Sequence, residues 1–166
     1  MISPAELSVA NATVSLRTAG WHDVHKVWRW NSAPEVRALA LQSQPIAVDE
    51  HQTWYSARLC ETGHYMWIVS AGSSDVGVVR INATESDIGI VSIALARDAR
   101  GRGIGTRALT AACRRIDALR PGQILEAWVA ATNLASAHCF ENCGFRWIRS
   151  EERGERTFNV YRWEAR

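Results

Sequence analysis

The sequence predicts an α/β fold: one mixed, mostly antiparallel sheet flanked by helices, with a helix crossing between two strands at its centre. Three observations lead there. Val91 to Leu119 reads VSIALARDARGRGIGTRALTAACRRIDAL, a short apolar run, an Arg/Gly turn, and then apolar residues at helical spacing. Elsewhere, short apolar runs alternate with Gly/Ser/Asp turns, the pattern of paired strands. With 166 residues, 47% of them hydrophobic, the chain is long and apolar enough for one domain, 1–166, with its own core.

The elements follow in order. Asn11 to Thr18 alternates Ala12, Val14 and Leu16 with Thr13, Ser15 and Arg17, and reads as a first strand. Ala19 to Trp30 reads as a helix carrying Val24, Val27 and Trp28 on one side. Asn31-Ser32-Ala33-Pro34 breaks it. Glu35 to Leu41 reads as a short helix and Gln42 to Ile46 as a loop. Asp49 is the expected cap of the next helix, with Gln52 in a capping-box relation. That helix runs through Trp54, Tyr55, Arg58 and Leu59 to Gly63. Tyr65 to Ala71 and Val76 to Asn82 form a hairpin about Gly72-Ser73-Ser74-Asp75. Ala83 to Asp87 turns the chain into a strand, Ile88 to Leu95.

Next comes the long helix, with Ile104, Ala108, Leu109, Ala112, Ile116 and Leu119 on its apolar face. Pro121-Gly122 stops it. Ile124 to Ala130 is a strand. Asn133 starts a short helix to about Cys143, with Gly144 as its C-cap. Phe145 to Ser150 and Thr157 to Trp163 form a final antiparallel pair.

The junction at Arg100-Gly101-Arg102-Gly103-Ile104-Gly105-Thr106 carries the chemistry. Backbone N–H groups at a helix start, glycines without Cβ and flanking arginines together make a phosphate site. Gly103 and Gly105 are expected to let a ligand oxygen approach the backbone closely. A dinucleotide loop would need glycine where Thr106 stands. A nucleotide-triphosphate loop would end in Gly-Lys-Ser/Thr, and the one lysine is Lys26. A bare tight turn is the simplest competing reading.

Composition excludes other classes. The net charge of +2 gives no argument for nucleic acid. No run reaches membrane-span length, and Met1 to Ala10 lacks the pattern of a signal peptide, so a cytoplasmic location is expected. Cys60, Cys113, Cys139 and Cys143 form no C-x-x-C and are expected as free thiols. No metal site is expected, because His138 near Cys139 supplies too few ligands.

At this point the residues carry a resemblance. Arg100 to Gly105 fits Gln/Arg-x-x-Gly-x-Gly/Ala, and Asn133 is followed seven residues on by Phe140-Glu141 and then Gly144-Phe145. Over its whole length the chain resembles the GNAT N-acetyltransferases. The resemblance implies a central sheet splayed in its middle and acetyl-CoA as cosubstrate. It implies that Ile93, Ala94 and Leu95 bond the pantetheine arm through their backbone, with the acetyl carbonyl near Leu95. It implies that Arg100, Gly101, Arg102, Gly103, Ile104, Gly105 and Thr106 hold the pyrophosphate. Asn133 would bond the arm from the other strand. Phe140 would stand beside it, where relatives often place tyrosine. Homodimers are common in such a family.

A second stretch concerns the acceptor. WNSAPEVR (Trp30 to Arg37), IAVDEHQTW (Ile46 to Trp54) and Val79-Arg80 resemble acetyltransferases of nucleotide-linked amino sugars, of the pseudaminic acid type, although Asn31 stands where those have arginine. This resemblance points to His51, Trp54 and Arg80 as acceptor-binding residues. A packing face with a satisfied histidine is the competing reading of His51 and Trp54. Eight tryptophans, with Trp21, Trp28, Trp30 and Trp54 among those in the N-terminal half, offer faces for stacking on a sugar or ring, and core packing is their other role.

The reaction needs a proton acceptor for the ammonium and stabilisation of the developing oxyanion. Relatives often carry a carboxylate five residues before the Asn, where Trp128 stands. Glu126, two residues earlier on the same strand face, is the candidate base; an ordinary strand carboxylate is the alternative. For the leaving thiolate the sequence leaves two routes, departure unaided or a proton from Tyr55 or Tyr65. The expected function is therefore acetyl transfer to the primary amine of a small molecule, an amino sugar among the candidates. A protein or peptide N-acetyltransferase and a non-catalytic acyl-CoA-binding module are the alternatives.

Overall fold

The computed structural model describes residues 13–83 and 87–165. Asn11 and Ala12 of the expected first strand, and part of the expected turn before Ile88, lie outside the described residues. The chain runs β1 (Val14–Thr18), a 3-10 turn (Trp21–Asp23), α1 (Val24–Ser32), α2 (Pro34–Leu39), α3 (Val48–Cys60), β2 (His64–Ala71), β3 (Ser74–Asn82) and β4 (Ile88–Leu95). A second 3-10 turn (Arg97–Ala99) leads to α4 (Ile104–Leu119), β5 (Ile124–Ala130), α5 (Leu134–Asn142), β6 (Arg146–Arg153) and β7 (Arg156–Trp163).

Local chemistry explains where the boundaries differ from expectation. The expected break at Asn31–Pro34 shrinks to one residue: α1 continues through Ser32, and Ala33 alone is extended, at φ −54° and ψ 130°. The residue before proline avoids the helical region, while Pro34 itself suits the first turn of α2. Asp49 does not cap α3. The cap position is Ala47, with no side-chain bond, and Asp49 and Glu50 sit inside the first turn, where their charge suits the helix dipole.

The described strands form one sheet in the order β1-β2-β3-β4-β5-β7-β6. Every neighbouring pair is antiparallel except β4 and β5, which α4 connects as a crossover. That crossover is the predicted centre of the fold. One sheet face packs on α4 and α5: Val69, Val79, Ile81, Val91, Leu125 and Ala127 meet Ile104, Ala108, Leu109, Ala112, Ile116 and Phe140. The other face is covered by α1 and α3, where Val24, Val27 and Tyr55 meet Met66, Ile68, Val78 and Ala94. Each fully buried Leu or Ile of such a core stabilises by roughly 1.5–3 kcal/mol.

Polar ties orient the N-terminal helices on the sheet. Asp23, 0% exposed, takes two bonds from the Arg17 guanidinium (2.8 and 2.6 Å) and one from Gly20 N–H (3.0 Å). Arg17 and Lys26 both reach Asp75 (2.6 and 2.7 Å), and Ser70 donates to it at 2.8 Å. Burial alone would raise both carboxyls, but these bonds outweigh it and hold each below the ordinary carboxylate range.

Candidate active site

The site begins where the sheet opens. β4 and β5 pair only at Ile88–Ile124, Gly89–Leu125 and Ile90–Glu126. Beyond Ile90, β4 continues to Leu95 and β5 to Ala130 without a shared ladder, so each has an open edge. Hydrogen-bond phase tells which backbone groups face that opening. Ala96 N–H donates to Val76 O (2.8 Å), and the register places Ala94 with Val78 and Ser92 with Arg80 in the same phase. Antiparallel ladders alternate, so Val91, Ile93 and Leu95 turn their N–H and C=O groups toward β5. On β5, Ala131 N–H donates to Thr157 O (2.9 Å), which leaves Glu126, Trp128 and Ala130 turned toward β4. The bond from Ile124 N–H to Asp87 O (3.0 Å) has the same phase on both strands.

This divides the three strand residues expected to bond a pantetheine arm. Ile93 and Leu95 face the opening; Ala94 faces β3 and does not. Leu95 has its carbonyl already occupied by Arg100 Nε at 3.0 Å. The pleat also brings in Val91 and Trp128, whose backbone groups the sequence reading missed; only the ladder phase identifies them.

At the wide end lies the start of α4. Its cap residue is Gly103, at φ 69°, with no side-chain cap and no acidic residue in the first turn. The first bond inside the helix runs from Arg107 N–H to Gly103 O (3.1 Å), so Ile104, Gly105 and Thr106 find no N–H acceptor within their own helix. Gly101 is likewise at φ 70°, and a Cβ on either Gly101 or Gly103 would meet nothing within 4 Å. Backbone conformation, not space, requires glycine there. Gly105 differs. A Cβ on it would stand 3.0 Å from Cys139 Sγ, so this glycine also serves the packing of α4 on α5.

Two arginines bond within the loop. Arg100 ties the loop to Leu95 O and pairs with Glu35 of α2 at 3.2 Å. Arg107 donates to the carbonyls of Arg102 and Gly103, at 3.4 Å each. Arg100 and Arg107 thus tie the loop together, and the helix start points its N–H groups and dipole outward. Thr106 turns its hydroxyl to Cys139 Sγ (3.7 Å). Across the opening, Asn133 caps α5, its Oδ1 accepting from Ser136 N–H at 3.1 Å, which leaves the Nδ2 donors for a ligand. Phe140 does not line the site. It is 3% exposed and packs edge-on against Phe145, ring centres 5.0 Å apart.

A pocket of about 320 Å³ opens on the α1/α3 face beside Ile90. Trp54 and Arg58 of α3, His64 and Tyr65 of β2, Arg80 and Asn82 of β3, and Ser92 of β4 line it. Arg80 donates through Nε to Ser92 Oγ (3.2 Å) and lies over the Trp54 ring, 5.4 Å from its centre. Burial lowers the Arg80 pKa to about 10, with help from the positive charge of Arg37. Trp54 and Arg80 therefore meet in one pocket.

His51 does not join them. It is 3% exposed, its Nε2 lies 3.1 Å from Val24 O, and its ring packs on Trp54 and Tyr55. Burial pushes its pKa down. It is the satisfied core histidine of the competing reading, and it supports Trp54 from beneath. Tyr55 is also withdrawn: its hydroxyl donates to Gly20 O (2.9 Å) and burial raises its pKa to about 12. Tyr65 borders the pocket, but its ring stacks on Trp67, centres 5.8 Å apart, with the core of the opposite sheet face. The amide of Asn31 is buried too, its Nδ2 lacking a protein acceptor among the described residues.

Glu126 shares the Ile90 face, yet both its oxygens are taken. Arg149 donates to them at 3.2 and 3.1 Å, and Arg162 at 3.2 and 2.7 Å. Burial would raise the carboxyl, but these four bonds outweigh it and hold it below the usual range. A general base for an ammonium wants the opposite shift. Trp128, two residues on, lies between the guanidiniums of Arg149 and Arg153, 5.6 and 5.0 Å from its ring centre.

The sheet centre is open, with a bare helix N-terminus that suits a phosphate group at one end and a lined pocket at the other. The family comparison agrees: the model described as "Acetyltransferase (GNAT) domain" matches residues 13–146, and the chain belongs to that family. It is an acetyl-CoA-dependent N-acetyltransferase in class. A spermidine N-acetyltransferase from Vibrio cholerae, solved with CoA and spermine, is 16% identical at TM-score 0.80, covering 91% of this chain and 95% of that one. A ribosomal alpha-N-protein acetyltransferase solved with CoA is 17% identical at TM-score 0.80, covering 94% and 96%. An aminoglycoside acetyltransferase solved with CoA is 14% identical at TM-score 0.75, covering 92% and 95%. No protein with a curated description matches the sequence. Nothing in these comparisons supports the narrower resemblance to acetyltransferases of nucleotide-linked amino sugars. Among the described residues no three His, Cys, Asp or Glu side chains gather as a metal site, and no helix is long and apolar enough to cross a membrane.

Proposed function

We propose that the chain transfers the acetyl group of acetyl-CoA to the primary amine of a small molecule. The observation that carries this is the open channel between β4 and β5, which leads from the α4 N-terminus to the pocket beneath Trp54. A volume of about 320 Å³ lies at the small end of the range for small-ligand sites, which favours a small amine. Acetyl-CoA supplies the activated acyl group as a thioester. The chain supplies position. The N–H groups of Ile104, Gly105 and Thr106 face the pyrophosphate, and Ile93 and Asn133 bond the arm from either side. A strand rises about 3.3 Å per residue, so the groups facing the opening from Leu95 back to Val91 span about 13 Å. The reacting end of the donor then lies nearer Ile93 and Val91 than Leu95. There a strand N–H stabilises the carbonyl oxygen as charge develops.

Glu126 holds β5 to β6 and β7 rather than taking the proton. The ammonium loses its proton to water in the pocket mouth. Free-thiol release should be followed with purified protein, acetyl-CoA and a panel of nucleotide-linked amino sugars, aminoglycosides, polyamines and peptides. Release with at least one small amine and not with peptides is the expected result. Binding of acetyl-CoA without release for any amine would leave an acyl-CoA-binding module instead.

A further inference from the structure

We propose that the pocket beneath Trp54 selects an amine that also carries an anionic group, a carboxylate or a phosphate, and that Arg80 binds that anion. The inference rests on the acetyl-transfer reading and names the acceptor's chemistry.

Arg80 is half-buried in the pocket wall without a countercharge. No acidic group among the described residues acts on it; the surroundings contribute only burial and the repulsion of Arg37. Arg37 is half-exposed, its Nε donating to Gln44 O at 2.9 Å and its Nη2 to Gln42 O. Other guanidiniums of this chain are neutralised: Arg17 by Asp23 and Asp75, Arg149 and Arg162 by Glu126, Arg58 by Glu61. A half-buried charge with no partner keeps part of its desolvation cost. An anion in the pocket removes that cost.

The geometry suits such a ligand. Stacking on Trp54 and the bond to Ser92 fix the guanidinium plane. Its two Nη groups form the fork that takes a carboxylate or phosphate bidentately, with little side-chain entropy left to lose. Ser92 is the immediate neighbour of Ile93, so an anion on Arg80 holds the rest of the acceptor beside the open edge of β4. The same charge repels polycations such as spermidine.

The test uses matched probes on the full chain. Glucosamine 6-phosphate is compared with glucosamine, and a dipeptide with its C-terminal amide; spermidine is the cationic control. Binding is read by calorimetry and turnover by thiol release. The phosphate and carboxylate arms say which anion is preferred. At least one anionic member should bind about tenfold or more tightly than its neutral partner, and Arg80→Met should abolish that difference. Arg80→Lys should keep a weaker preference, which separates loss of charge from loss of fold. Equal binding within both pairs, preferred binding of spermidine, or a preference that survives Arg80→Met would overturn the inference. Anion-selective binding with no thiol release from any probe would sink the acetyl-transfer reading instead and leave the anion site standing.

Discussion

Glu126 shows how one residue's surroundings decide its role. Read in sequence, a carboxylate on the strand before Asn133 is a natural base. In the fold it lies 4% exposed beneath two guanidiniums that occupy both oxygens. Glu126→Gln is expected to cost about 1–3 kcal/mol of stability, since charge-assisted bonds are lost and an amide faces the arginines. Its turnover should stay within about threefold of the parent, with the same pH profile. A thousandfold fall in kcat together with loss of the acidic limb would restore Glu126 as the base. The glycines teach the same lesson. Gly101 and Gly103 are required by positive φ, Gly105 by the thiol of Cys139. One motif thus contains two unlike physical demands, and the letters alone do not separate them.

Among the elements, the packing of α1 depends on the Arg17–Asp23–Asp75–Lys26 cluster, which joins β1, the first 3-10 turn, α1 and β3. Both carboxyl pKa values are depressed in the folded chain. Groups of that kind add stability above their unfolded pKa, about 3.9 for Asp, and the contribution fades as pH falls through the folded value. The urea midpoint should therefore be level near neutrality and drop below about pH 4. Asp75→Asn should lower the neutral midpoint and flatten the acid slope; an unchanged slope would show that other carboxylates govern acid unfolding. Element boundaries were legible in the sequence where apolar period and a turn residue agreed, as at Val91–Leu119; at the hairpin the strand starts at Ser74, two residues before the expected Val76. They slipped at Ala33 and Ala47, where backbone conformation rather than a capping side chain sets the end.

For the molecule as a whole, the strand–loop–helix and the Asn133 signature carried the fold, because both are local and glycine spacing survives translation into backbone geometry. The acceptor side was only partly legible. Trp54 and Arg80 lie 26 residues apart and meet only after β2 and β3 have paired. His51, three residues before Trp54, shows the same pattern in sequence yet faces the core, since its ring finds Val24 O. Nothing in composition distinguishes a histidine with a carbonyl waiting for it from one without.

The parting of β4 and β5 has a mechanical consequence. Three residue pairs are all that stitch the two halves of the sheet into one. Without a ligand, the amides of Ile93 and Trp128 border a seam, and seams are where a native protein breathes. A cosubstrate lying along both edges works as a missing strand, and saturating it at a hundred times its Kd adds about 2.7 kcal/mol to the folded state. Deuterium uptake at β4 and β5 should slow in the presence of CoA while the β2–β3 hairpin stays unchanged. Uniform slowing across the chain would mean that the halves already move as one. If the contrast holds, the donor does more than deliver an acetyl group: for as long as it is bound, it is the weft that closes the sheet.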